Sequence, residues 1–270
     1  MHLNKTMSIA VMSGKGGVGK TNLALNMARM LSLANHPSLL LDCDLGLANI
    51  DVLLGLNTNH TLQDVVHNDI HPKDAIINIE NGLDFLPAAS GLSELVDMDS
   101  DMQALLFQRL TPYLDAYNYL FLDLGAGISA TTLSFASMAH VRIVVVTPEP
   151  TSITDGYAVM KVMNAQYGIK NFHVLVNQVQ DKKEYDLASQ RVCEACDHFL
   201  GFRPQVLGQV SQDNAVINAV MSQKPFTLNA PHCSASKNVQ TIAHRLIELR
   251  LENKYEIQKN VINKLPDKTD

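Results

Sequence analysis

Residues 14–21 read Gly-Lys-Gly-Gly-Val-Gly-Lys-Thr. Gly14, Gly16, Gly17 and Gly19 let the backbone take positive φ and pass close to a bound group. Backbone N–H groups in such a loop converge on one anion, and a helix starting at its end adds its positive pole. The spacing is that of a phosphate-binding loop. Lys20 would reach the β- and γ-phosphates, and the Thr21 hydroxyl would sit on Mg²⁺. The stretch from Gly14 to Asn22, with Lys15 and Val18 inside it, is the candidate nucleotide site. ATP and Mg²⁺ are its expected occupants.

Three carboxylates extend that chemistry. Asp42 ends the apolar run Ser38 to Leu41, and Asp44 stands two residues on. Asp123 ends a second apolar run, Tyr119 to Leu122. Carboxylates at the C-terminal ends of strands, beside a phosphate loop, are placed for a metal and for water. Asp123 reads as the Walker B acid that binds Mg²⁺ through a water.

The elements around these residues alternate. Ile9 to Met12 is a buried strand before the loop, and a helix runs from Asn22 to Leu33 after it. Further strands are expected at 38–41, 82–86, 119–123, 141–147, 172–176 and 204–210. Helices are expected at 61–67, 72–79, 101–114, 155–167, 182–200, 211–220 and 235–251. Thr151 or Ser152 would cap the helix that begins near Asp155. Such alternation predicts an α/β fold, a doubly wound, mostly parallel sheet with helices on both faces. The domain is expected over 1–252, with a polar extension over 253–270.

Composition narrows the class. With 46% hydrophobic and 18% charged residues, the chain can fill a core and is not disordered. A net charge of −6 argues against coating DNA, so no specific nucleic acid is expected as a partner. No secretory signal and no run of ~18 apolar residues is seen, which predicts a cytoplasmic protein. Four cysteines, Cys43, Cys193, Cys196 and Cys233, make no disulfide framework at this size. Cys193 and Cys196 fall inside one expected helix and read as structural.

Lys15, directly after the first glycine, makes the loop resemble the deviant Walker A loop of the MinD/ParA ATPases, and the resemblance continues to about Lys224. In that family this lysine crosses a dimer interface to the partner's nucleotide. The stretch Asp42-Cys43-Asp44-Leu45-Gly46-Leu47-Ala48-Asn49-Ile50-Asp51 resembles switch I of the FlhG (FleN) branch, which governs flagellar number. By that match Asp44 would orient the attacking water and Asp42 would support the metal. Leu124 to Ile128 resembles switch II, with Leu124 where relatives carry Thr or Ser. Pro87 to Gly91 and Glu149 to Asp155 are also similar to that branch. The resemblance further implies that Asn177 hydrogen-bonds adenine and that Asp213 walls the base, with Ser211 in place of the usual Pro.

The function implied is a slow ATPase that homodimerises on ATP. Its implied partners are an FlhF-type GTPase and a flagellar transcription activator. Only Met1 to Met7 precede the first strand, so transcriptional control is the expected output. A MinD-type division positioner, a ParA-type segregation ATPase and an iron–sulfur scaffold stay open as alternatives. In the extension, Ile257, Val261, Ile262 and Leu265 form a narrow apolar stripe flanked by lysines. It resembles a weak interfacial helix at the inner face of the membrane.

Overall fold

The computed structural model describes residues 6–44, 49–67, 70–88, 100–253 and 257. Its strands are β1 (Met7–Met12), β2 (Ser38–Cys43), β3 (Ile77–Glu80), β4 (Leu83–Leu86), β5 (Tyr119–Leu124), β6 (Val141–Val146), β7 (His173–Val179) and β8 (Gln205–Ser211). They form one sheet in the order β3-β4-β2-β5-β1-β6-β7-β8. Every neighbouring pair is parallel except β3 with β4. Every residue of β1, β2, β5 and β6 is buried, as parallel strands covered on both faces must be.

Side chains alternate between the two faces. Ile9 and Val11 belong to one core with α1 (Lys20–Leu33), α9 (Asn214–Met221), α10 (Phe226–Asn229) and α11 (Ser234–Glu252). Ala10 and Met12 belong to the other. Its helices are α3 (Leu62–His67), α5 (Ser100–Leu114), α6 (Ala130–Met138), α7 (Pro150–Tyr167) and α8 (Lys182–Leu200). Two short helices, α2 (Ile50–Leu54) and α4 (Pro72–Ala75), complete the described elements.

Several expectations need correction. The helix expected over 72–79 stops at Ala75, because 77–80 pairs antiparallel with β4 as an edge strand. None of α2, α6 and α10 is expected from the sequence. The expected start of α7 at Asp155 moves back to Pro150, with Glu149 at the N-cap. Proline is preorganised for the first helical position, where its missing N–H costs nothing. The Ser152 hydroxyl is thereby released from capping and accepts from Thr147 N–H at 2.9 Å. Ile257 is buried against the α1 and α11 core, so it is not part of a surface stripe. Val261, Ile262 and Leu265, like Leu45 to Ala48 and Ala89 to Gly91, lie outside the described residues.

Candidate functional site

The loop between β1 and α1 crosses the sheet's C-terminal edge at its centre, where such folds bind ligands. Two of its glycines, Gly14 and Gly19, are required by their neighbours. A Cβ on Gly14 would lie 2.2 Å from the backbone oxygen of Asp155, so α7 packs directly on the loop. Gly19 has φ +90°, and a Cβ there would meet the Asn177 amide nitrogen at 2.5 Å. Ser13 Oγ donates to Lys15 O at 2.7 Å and closes the turn.

A cleft of about 610 Å³ opens beside the loop. Gly16, Gly17, Gly19, Lys20, Thr21 and Asn22 line one side, with Cys43, Asp44 and Gly125 opposite. A second cavity of about 240 Å³ adjoins it, sharing Gly19 and Asn22. Asn177, Ser211, Asp213, Ile217 and Phe226 lie around the second cavity. Together they offer a trough with a wider end lined by the loop and a smaller, more enclosed and more apolar end. That shape suits a nucleotide.

The register explains the acids. Asp42 on β2 is the direct cross-strand neighbour of Asp123 on β5, so both carboxyls are buried together. Burial raises the Asp42 pKa well above the ordinary carboxylate range, and the Asp123 charge raises it further. Backbone N–H groups of Asp44 and Asn49 oppose that rise, donating to Asp42 Oδ1 at 3.0 Å and Oδ2 at 3.2 Å. Asp42 therefore organises the turn that presents Asp44. Asp123 is also pushed up by burial, to about 7, against the Thr21 hydroxyl and the Lys20 charge. The Cys43 thiol between the acids is held neutral by burial and by the Asp42 charge.

Asp123 Oδ1 is buried without a hydrogen-bond partner. A buried acceptor left in that state is costly. A hard divalent cation is what a carboxylate oxygen beside a threonine hydroxyl accommodates. The donor set thus fits Mg²⁺, with Thr21 and Asp123 as the residues that would hold it.

Lys15 does not line either cavity. Its Nζ lies 2.8 Å from Glu149 Oε2 and 3.5 Å from Thr151 Oγ1, on the rim formed by the start of α7. The Glu149 hydrogen bond raises its pKa, and the side chain is 43% exposed. Asn177 Nδ2 donates to Val18 O at 2.8 Å, so this residue clamps the loop as well as facing the second cavity. Asp213 caps α9 through Ala215 N–H at 2.9 Å, and these backbone bonds lower its pKa. Ser211 donates its N–H and hydroxyl to Asn238 Oδ1, tying the wall to α11.

Sequence reasoning missed Ile217 and Phe226 of the second cavity and a group of hydroxyls in the first. Ser129, Thr131 and Thr132 also line the cleft, and Ser129 Oγ caps α6 by accepting from Thr132 N–H at 3.2 Å. A serine standing just after a Gly-x-Gly turn and ahead of an apolar-rich run is the N-cap signal that could have found the hydroxyls. Leu124 points into the core, so no hydroxyl acts there. Cys193 and Cys196 are both buried, with Cys196 Sγ 4.0 Å from Met160 Sδ, as a packed core requires. Among the described residues no cluster of three metal-ligating side chains occurs, and no helix is long and apolar enough to cross a membrane.

Known proteins match this arrangement over most of the chain. A ParA family profile, described as the NUBPL iron-transfer P-loop NTPase, matches residues 4–247. The antiactivator FleN of Pseudomonas aeruginosa is 37% identical, covering 88% of this chain and 85% of its own. The flagellum site-determining protein YlxH of Helicobacter pylori is 32% identical, covering 90% and 82%. The solved MinC:MinD cell division complex of Aquifex aeolicus superposes with a TM-score of 0.76 at 25% identity, covering 90% of this chain and 96% of that one. The loop, the paired acids and these matches together place the chain in the ParA/MinD family of P-loop ATPases.

Proposed function

We propose that the chain is an ATP-driven dimerising switch that sets flagellar number and placement, in the manner of FlhG (FleN). The observation that carries this reading is the 37% identity to the antiactivator FleN over nearly the whole domain. The similarity to a flagellum site-determining protein supports it.

The chemistry follows from the site. The loop N–H groups and Lys20 bind the phosphates, and Mg²⁺ on Thr21 and Asp123 would offset their charge. Asp44 orients a water for attack on the γ-phosphorus. The new P–O bond forms as the bond to the bridging oxygen breaks, leaving ADP and phosphate. Asn177 and Asp213 flank the base. Lys15 on the rim leaves Glu149 and reaches the nucleotide of a second copy, an isologous contact that a symmetric dimer requires. Its charge there acts as an arginine finger does, worth ~10³ or more in rate.

The expected partners are an FlhF-type GTPase and a flagellar transcription activator, met in the cytoplasm or at a weak contact with the membrane's inner face. The test is a pull-down with Asp44→Ala held in ATP and Mg²⁺. Enrichment of a flagellar activator supports the reading. Enrichment of a division inhibitor in its place would overturn it in favour of a MinD-type role.

A further inference from the structure

A chain of buried polar groups runs from the sheet's edge to the trough. Arg29 Nε lies 2.9 Å from Glu80 Oε1 of β3, close enough for an ion pair. Arg29 Nη1 donates to Thr227 Oγ1 at 3.3 Å. Asn26 Oδ1 accepts from Thr227 N–H at 2.9 Å and lies 2.8 Å from Thr227 Oγ1. Asn26 Nδ2 lies 2.7 Å from Asn22 O and 3.0 Å from Asn22 Oδ1. Asn26, Thr227 and Arg29 are all buried, and Asn22 lines both cavities.

The polarity of this chain is fixed at fixed points. A guanidinium only donates, so Thr227 Oγ1 accepts from Arg29 and its own proton goes to Asn26. The Thr227 backbone N–H is also an obligate donor, so the Asn26 atom facing it must be the carbonyl oxygen. Asn26 then turns its NH₂ to Asn22, where the backbone carbonyl is an obligate acceptor. The Asn22 atom facing Asn26 is therefore Oδ1, and the amide's NH₂ is left for the trough. Asn/Gln orientations are assigned from such networks, and this one has unambiguous groups at three points.

We infer that Asn26 and Thr227 are positioning residues that hold Asn22 as a hydrogen-bond donor toward the nucleotide. The inference rests on the nucleotide-switch reading and adds the polarity of one contact and its cause. Asn22 in this state recognises an acceptor atom of the ligand and rejects a donor. Phe226, one residue before Thr227, is on the wall of the second cavity, so the same short turn sets a wall and this polarity.

The test is a double-mutant cycle on Mg²⁺–ADP binding by calorimetry, with Asn22→Ala, Asn26→Leu and both together. Each single change should weaken ADP about 10-fold, the cost of one hydrogen bond to a charged or strongly polar group. The double variant should be no weaker than Asn22→Ala alone. Asn26→Leu binding as tightly as wild type, or two losses that multiply, would overturn the inference. Should Asn26→Leu fold poorly, Thr227→Val takes its place, with a smaller loss that Thr227→Ser reverses. No loss in Thr227→Val, or none reversed by Thr227→Ser, would overturn it equally. A wild-type chain that bound no ADP would overturn the nucleotide reading beneath it.

Discussion

Asp123 offers the sharpest pH test. In the unfolded chain its carboxyl ionises near 3.8, and in the ligand-free fold near 7. The folded state therefore holds a proton that the unfolded state has lost. Stability from this group is complete below the unfolded value and falls as pH rises toward and through the folded value. Asp42 is raised by the same burial, so the two carboxyls lose this stability as a pair; at about 1.36 kcal/mol per pH unit, the share of Asp123 is on the order of a few kcal/mol, much of it lost between pH 5 and 8. For a chain of this size that is a drop of about 5–10 °C in Tm. The assay is thermal unfolding without metal or nucleotide across that range, for wild type and Asp123→Asn. The variant's amide stays neutral, so the slope should shrink to the part that Asp42 contributes, and the variant should melt above wild type at pH 8. At pH 8, Mg²⁺–ADP should raise Tm more in wild type than in the variant, which keeps Lys20 and the loop N–H groups but lacks the carboxylate. Parallel slopes for the two proteins would refute the argument that a buried, proton-holding Asp123 occupies the metal position.

Three further outcomes follow from the geometry. Asp44→Ala should bind ATP normally and lose turnover by ~10²-fold or more in a phosphate-release assay. Gly14→Ala forces a methyl into the Asp155 backbone at 2.2 Å, so nucleotide affinity should fall and Tm with it; an unchanged melt would mean that α7 yields freely. Ile257→Ala should destabilise by roughly 2–5 kcal/mol by urea unfolding, since the side chain is core, and should leave recovery with anionic liposomes unchanged.

Much of the site was legible because its residues obey local rules. The loop's glycines, Lys20 and Thr21 need a set order, and the apolar runs that meet a charge at Asp42 and Asp123, next to the last residues of β2 and β5, announce themselves. What escaped depended on tertiary context. Residues 131–138 of α6 are buried on every side, so no polar face marks its period. Strand β3 is four residues long and exists because β4 pairs with it. Helix α10 is a single turn after Pro225. Pairing of Asp42 with Asp123 is a matter of register between strands some eighty residues apart, which no spacing reveals. The Lys15–Glu149 contact and the Asn22–Asn26–Thr227 chain likewise join residues that only the fold brings together.

In the proposed switch, ATP closes two copies around Lys15. Light scattering with ATP and Mg²⁺, on the Asp44→Ala background to stop turnover, measures it directly. Asp44→Ala should dimerise, and the Lys15→Ala, Asp44→Ala double variant should stay a monomer that still binds ATP. Lys20→Ala, Asp44→Ala should lose the nucleotide itself. A stable ATP-bound dimer in the Lys15→Ala, Asp44→Ala chain would rule out Lys15 as the group that closes the dimer.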